Sequence, residues 1–357
     1  MKRRIAGCLV AVFSATASVG AAAQTPYFQG KQVKVVVGFS PGGGTDLFGR
    51  VAAEGLARNL AGKPTVTVQN MPGAGSVIAS NYFSERAPRD GTTLLIGTGQ
   101  LLLRMLLGLD GARSKPAEFE PVIASPMGRI TYAAVTTGLA DKRLLLAPPQ
   151  PLILGVPEVI ATIDAVLGLR VLEAKYRSVM GYPGKNETRL ALQQGEVNLD
   201  GQTTPLYETS VTPIVREGKA LPVFSQGLLD GETLVRDPAA PEIATVAEVY
   251  REIHGRDPHG PAWEAYKSVV RAIGNGGKIL MMHADAPPAA REALLQAAQA
   301  MIVDPEFLKT AEQVLEGYPL QTGAGLRANI AAIGATTPET LAWLQDFLSR
   351  DFNMKFK

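Results

Sequence analysis

The chain has 357 residues, 46% of them hydrophobic and 19% charged, with a formal net charge of +2. That length exceeds one ordinary core and points to two domains, each able to bury its own. No basic cluster interleaved with aromatics is present, which argues against a nucleic-acid partner.

The chain opens on a targeting pattern. Lys2, Arg3 and Arg4 form a basic start, Ile5 to Val19 is uncharged and apolar, and Ala21-Ala22-Ala23 offers a small-residue cleavage site. Residues 1–23 read as a secretory signal peptide, with Gln24 the expected mature N-terminus. Three positive charges leave with it, so acidic residues slightly outnumber basic ones in the mature chain. Cys8 is the sole cysteine. Ile5-Ala6-Gly7-Cys8 matches a lipoprotein box but precedes the apolar run it should follow, which disfavours a lipid anchor. The mature chain then has no thiol for disulfides, nucleophilic catalysis or metal ligation. Val159 to Leu172 is its most apolar stretch, interrupted by Asp164 and Arg170, so no membrane span is expected.

Val33 to Val37 reads as a buried strand, Gly38 to Gly44 as a loop, and Thr45-Asp46 as a helix start with Leu47, Val51, Ala52 and Leu56 on one face. The order repeats: strand Thr65 to Val68, loop Asn70 to Ser76, helix Val77 to Phe83, turn Asp90-Gly91, strand Thr92 to Ile96. This is an α/β parallel-sheet pattern. Further on, Leu144 to Ala147 and Tyr176 to Gly181 read as strands around a helix from Pro157 to Ala174. Helix Asn186 to Gln194 and strand Pro222 to Phe224 follow. Lys278 to Met282 reads as a strand, Pro287-Pro288 opens a helix, Asp304-Pro305 breaks it, and a second helix runs to Gly317. Thr336-Thr337-Pro338-Glu339 predicts a capping box and a last helix through Leu348. The fold class expected is α/β with two lobes.

Two consecutive strands thus end in glycine loops that enter helices. Such loops present free backbone N–H groups at the positive end of the helix dipole and let a ligand approach closely, so they favour anions. In an open parallel sheet, ligands gather at that edge. Neither loop is a nucleotide site: Gly42 to Asp46 lacks the P-loop lysine, and Leu47 and Ile78 stand where the dinucleotide fingerprint needs glycine or alanine.

Gly38-Phe39-Ser40-Pro41-Gly42 also matches the hydrolase elbow G-x-S-x-G, with His283 a downstream base. Pro41 argues against it, because that position should donate an oxyanion-hole N–H and proline has none. His254 and His259 flank Asp257, but without a cysteine or third histidine nearby they read as surface residues rather than a metal site. Asp46 reads first as a helix cap; Tyr182 and Asp200 are further candidates on less clearly defined elements.

The ordered motifs resemble a family. Phe39-x-Pro41-Gly42-Gly43-x-Thr45-Asp46 with Arg50, Val68-x-Asn70-x-Pro72-Gly73-Ala74-Gly75, Asp90-Gly91-x-Thr93-Leu94-Leu95 and Phe119-x-Pro121-Val122 are similar to the Bug-type receptors of tripartite tricarboxylate transporters. Looser matches follow at Gly181-Tyr182-Pro183-Gly184, Leu192-x-x-Gly195-Glu196-Val197, Thr245-Val246-Ala247-Glu248, Asp304-Pro305-Glu306 and Gly317-Tyr318-Pro319.

The resemblance implies a non-enzymatic periplasmic binding protein of type II, each lobe a mostly parallel sheet flanked by helices. It would be a monomer that captures a small carboxylate for membrane permease subunits, without a cofactor or metal. A sensing receptor without a permease is the variant of this reading. Lobe I would comprise 31–122 plus 240–357, and lobe II 123–239. Carried over by position, the ligand contacts are Phe39, Ser40, Gly43, Thr45, Asp46, Gly73, Ala74, Gly75 and Ser76, extended by Thr98 and Gly99. Leu144 to Gln150 stands where the family has a Gly/Ser-rich segment, so its lobe II contacts do not carry over; Pro148, Gln150 and Tyr182 are the candidates for that wall.

Overall fold

The computed structural model describes residues 25–356 except 110 and 316, so the signal segment lies outside the described residues. The first βα units appear as read: β1 (Gln32–Val37), α1 (Gly44–Asn59), β2 (Thr65–Asn70), α2 (Val77–Arg86) and β3 (Thr93–Thr98), then α3 (Gly99–Leu107) and β4 (Phe119–Ser125). A second group follows: β5 (Arg129–Ala134), β6 (Leu152–Val156), α4 (Val159–Val171), β7 (Tyr176–Met180), α5 (Lys185–Gln194) and β8 (Leu199–Thr203). From there α6 (Thr204–Leu206), a π-helical turn and α7 (Thr212–Arg216) lead to β9 (Ala220–Ser225) and the hairpin β10 (Leu228–Asp230) and β11 (Thr233–Val235). The chain closes with α8 (Val246–His254), α9 (Pro261–Val269), β12 (Lys278–His283), α10 (Pro288–Met301), α11 (Pro305–Leu315), β13 (Gln321–Thr322), α12 (Gly323–Gly334) and α13 (Pro338–Phe352).

Among the described residues two large sheets result, in the orders β13-β4-β12-β3-β1-β2 and β7-β6-β8-β5-β9, beside the small β10-β11 hairpin. The two-lobed type II class holds, but the sheets are mixed rather than mostly parallel. β1 pairs in parallel with β2 and β3, and β6 with β7 and β8. β12 runs antiparallel between β3 and β4, and β5 antiparallel between β8 and β9. Parallel pairing needs a crossover helix, and only the βαβ stretches provide one.

This register positions the site. Lys278 pairs with both Thr98 and Ser125, so β4 ends at the edge where β1 to β3 end. Three residues, 126–128, then carry the chain to Arg129, which pairs with Thr203 at the carboxyl end of β8. Three residues span at most about 11 Å. The carboxyl edges of the two sheets therefore abut. One buried cluster joins them, from Leu95 and Leu101 through Tyr266 and Phe347 to Ile163 and Phe224.

Leu144 to Ala147 is not a strand: Asp141 accepts from Arg143 N at 3.0 Å and caps a 3-10 turn instead. The strand begins at Leu152, after Pro148, Pro149 and Pro151 have interrupted pairing. The capping box expected before α13 does not form, and the N-cap is Thr337, one residue later. Thr336 closes the preceding helix on Ile333 O, and Thr337 accepts from Thr340 N at 3.2 Å.

Candidate functional site

Gly43 is the N-cap of α1, so the first-turn amides of Gly44, Thr45 and Asp46 have no partner within the helix. Ser40 and Gly43 are exposed, Thr45 is half-buried, and Phe39 is half-buried against the core beneath α1. The second loop has an unusual backbone. Gly73, Ala74, Gly75 and Ser76 all take positive φ, at 140, 48, 59 and 77° respectively. Only glycine does so freely, and this run turns the chain sharply enough to bury Ser76 against the first loop. A Cβ at Gly38 would lie 1.6 Å from Ser76 Oγ, so the two loops touch through a glycine. Ala74 is exposed, and Gly73 and Gly75 are half-buried.

Asp46 is buried and fully engaged. Its carboxylate accepts from Gly42 N at 2.8 Å, Asn70 Nδ2 at 2.7 Å, and Arg50 Nε and Nη2 at 2.9 and 3.1 Å. Burial alone would raise its pKa, but the hydrogen bonds from Arg50, Asn70 and Gly42 outweigh this and hold it below 3.8. Asn70 also donates to Phe39 O at 2.9 Å. Asp46 thus shapes the first loop and ties it to β2, with no lone pair turned to a ligand. This corrects both sequence roles: it neither caps α1, whose N-cap is Gly43, nor presents a free carboxylate.

Ser76 Oγ and Thr98 Oγ1 are buried with no hydrogen-bond partner in the protein, as are Thr131 Oγ1 and the Nε atoms of Arg104 and Arg129. Buried polar atoms are rarely left so, and a bound water or ligand is one explanation of such an exception. Gly99 is different. Its N–H is bound to Gly277 O at 3.0 Å, and a Cβ there would lie 1.7 Å from Ala272 O. It is a packing glycine, and its amide is not available to a ligand.

The facing edge of the second sheet uses side chains instead. Glu158 caps α4, accepting from Ile160 N and Ala161 N at 3.0 Å each, and pairs with Arg104 of α3 at 2.8 Å. Arg104 lies against the second glycine loop, since a Cβ at Gly75 would meet its Nε at 2.9 Å. Beside them, Arg129 pairs with Asp164 at 3.3 Å and donates to Ala161 O at 2.8 Å. Asp200 accepts from Tyr132 at 2.6 Å, Thr188 at 2.8 Å and Gln202 at 3.0 Å. Lys185, the first residue of α5, is close to this cluster. Burial and the Arg129 charge depress its pKa while Asp200 and Asp164 oppose them.

The other lobe II candidates lie elsewhere. Burial and the neighbouring Glu196 raise the Tyr182 pKa, and its hydroxyl turns to that carboxylate rather than to the first lobe. Pro148 and Gln150 precede β6 at its amino end, the opposite edge, where Gln150 Nε2 donates to Thr136 O at 2.6 Å. Arg104, Glu158 and Arg129 stand at the facing edge without belonging to any of the motifs. The available signals were a lone arginine inside Leu101 to Leu107 and a glutamate before an apolar helical run.

The hydrolase constellation does not form. His283 ends β12, which runs antiparallel to β3 with Lys278 beside Thr98, so it lies at the edge opposite Ser40. Five residues of strand put about 17 Å between those edges. The imidazole is buried and stacked on Phe83 at 3.9 Å, and burial, with the Arg89 charge, lowers its pKa. His254 stacks on Tyr250 at 4.2 Å and His259 contacts Arg256 at 3.1 Å. Among the described residues, no three His, Cys, Asp or Glu side chains are grouped to hold a metal ion.

No protein-family model matches the chain. A stretch of 101 residues is 37% identical to Protein BugT of Bordetella pertussis, covering 28% of this chain and 30% of that relative. Among solved structures, the periplasmic binding protein BugD aligns over 91% of this chain and 99% of its own, with a TM-score of 0.55 at 20% identity. A TctC solute-binding protein from Polaromonas aligns over 89% and 98%, with a TM-score of 0.62 at 16% identity. R. palustris Rpa4515, solved with adipate, aligns over 87% and 97%, with a TM-score of 0.58 at 20% identity. The resemblance to Bug-type proteins read from the motifs is borne out by this relative and by the shared fold.

Proposed function

We propose that the protein is a solute-binding receptor, not an enzyme, that captures a small carboxylate in the cleft between its two sheets. The observation that carries this reading is the pair of touching glycine loops, with the open first-turn amides of Gly44, Thr45 and Asp46 beside the unpartnered Ser76 and Thr98 hydroxyls. Oriented donors at helix N-termini stabilise an anion, and the Lys278 ammonium lies close by, 3.6 Å from where a Gly44 Cβ would stand. Phe39, Ser40, Gly43, Thr45, Gly73, Ala74, Gly75, Ser76 and Thr98 are the residues assigned to it. The adipate found with the Rpa4515 structure supports a carboxylate ligand.

The basic-then-apolar opening at 1–23 supports export to the periplasm, as do the periplasmic binding proteins that share the fold. No described helix is long and apolar enough to cross a membrane. In this reading the lobes are 31–122 with 240–357, and 123–239. The receptor acts as a monomer and delivers its ligand to permease subunits of a tripartite tricarboxylate-type transporter.

A thermal-shift screen of residues 24–357 against mono-, di- and tricarboxylates tests the reading. A ligand at a hundred times its dissociation constant adds ~2.7 kcal/mol of stability and visibly raises the melting temperature. A flat response to every carboxylate would overturn it.

A further inference from the structure

The two cleft walls differ in what they leave for a ligand. On the first sheet, amides and hydroxyls await an anion. On the second, the charges are paired, with Arg104 Nε and Arg129 Nε left without a hydrogen-bond partner. Glu158 takes the N-terminus of α4 and the Arg104 guanidinium, the donors that a ligand's second carboxylate would seek there. Arg129 and Lys185 stand beside two carboxylates, Asp164 and Asp200, so that cluster carries no net positive charge. A further carboxylate at this edge would meet the Glu158 charge, and the Arg104 guanidinium is already paired with it.

The same edges also expose apolar side chains. Of the eight large hydrophobic residues prominent on the surface of the described chain, four leave these two carboxyl edges. They are Leu47 (43% exposed) and Ile78 (51%) in the first turns of α1 and α2, Met180 (55%) ending β7, and Leu206 (43%) just beyond β8. Ile78 reaches over the loop, its Cδ1 2.3 Å from where a Gly73 Cβ would stand. Burying such side chains against a ligand's hydrocarbon body is favourable in proportion to the area covered.

We infer that the cleft selects monocarboxylates with an apolar body, the acid group held by the glycine loops and the hydrocarbon lying toward Glu158, Met180 and Leu206. The inference rests on the receptor reading above and narrows its substrate class. Glu158 is the specificity-determining residue, because it fills from within the place of a second acid group. This differs from what the adipate bound by R. palustris Rpa4515 would suggest for a shared fold.

Hexanoate and adipate have the same carbon count and differ in one terminal carboxylate, so calorimetric titration of both into residues 24–357 is the direct test, with benzoate as a rigid second monocarboxylate. Hexanoate or benzoate should bind at least about tenfold more tightly than adipate. In Glu158→Gln, which keeps the side-chain shape, that ratio should shrink or invert. Met180→Asp, at an exposed position, should weaken hexanoate. Equal or tighter binding of adipate to the unaltered protein would overturn the inference while leaving the receptor reading in place. An unchanged ratio in Glu158→Gln would also overturn it. Binding of no carboxylate of either kind would remove the receptor reading itself.

Discussion

The two edges that face each other across the cleft are built from different materials. The first sheet offers mainly backbone, in two glycine loops and first-turn helical amides near the Lys278 ammonium, with Asp46 and Asn70 consumed in holding the loops together. The second offers side chains, with Glu158, Arg129 and Asp200 satisfied by neighbours distant in sequence. A backbone site makes its polarity from chain direction, so it tolerates varied anions. A side-chain site chooses by charge and shape, and can exclude as well as attract. In the proposed reading, capture and choice are divided between the lobes.

Substitutions can break that contrast. Gly38→Ala should have the largest effect, because its Cβ would stand 1.6 Å from Ser76 Oγ and 3.0 Å from Ser76 Cα, forcing the loops apart. A loss of about 2–3 kcal/mol in chemical denaturation, with anion binding abolished, is expected. Retention of both would mean that the loops do not act as one surface.

Gly43→Asp separates stability from binding. Gly43 has φ −81 and ψ 163, an extended N-cap geometry suited to aspartate, and a Cβ there meets nothing closer than Ser40 O at 4.0 Å. Stability should hold or rise by a few tenths of a kcal/mol, while carboxylate affinity falls about tenfold or more through like-charge repulsion. Unchanged affinity would remove the first loop from the site.

The smallest effect concerns His283, far from the cleft. Its folded pKa lies below 6.5, chiefly through burial, so below pH 6.5 the unfolded chain binds the proton more readily. Stability from this group is fully present above pH 6.5 and declines as pH falls toward the folded value. His283→Phe should flatten that part of the profile in thermal melts and leave ligand affinity unchanged. A change in affinity would place His283 in the site after all.

Much of the first lobe was legible because its signals are local. β-branched runs, glycines and helix starts follow one another within 31–98, and β1, α1, β2, α2 and β3 form within a few residues of their expected limits. Lobe II was legible in its helices and less so in its strands. Leu144 to Ala147 is as apolar as a strand, yet Asp141 and the prolines after it turn the chain, and the strand falls on Leu152 to Val156. Within the site, the glycines declared themselves through turn chemistry, whereas the engagement of Asp46 and Gly99 did not. Each depends on partners that come from another element: Asn70 on β2 for Asp46, and Gly277 beside β12 for Gly99.

The α/β class and the two glycine loops at strand ends were readable from local pattern alone, because strand periodicity, backbone freedom and helix polarity act over a few residues. Only the tertiary structure decided that β12 runs antiparallel and carries His283 away from Ser40. It alone decided that Asp46 is spent internally and that Glu158 meets Arg104 across the cleft. Those outcomes depend on which distant segments pack together, and no local pattern encodes a charge pair whose members lie 54 residues apart.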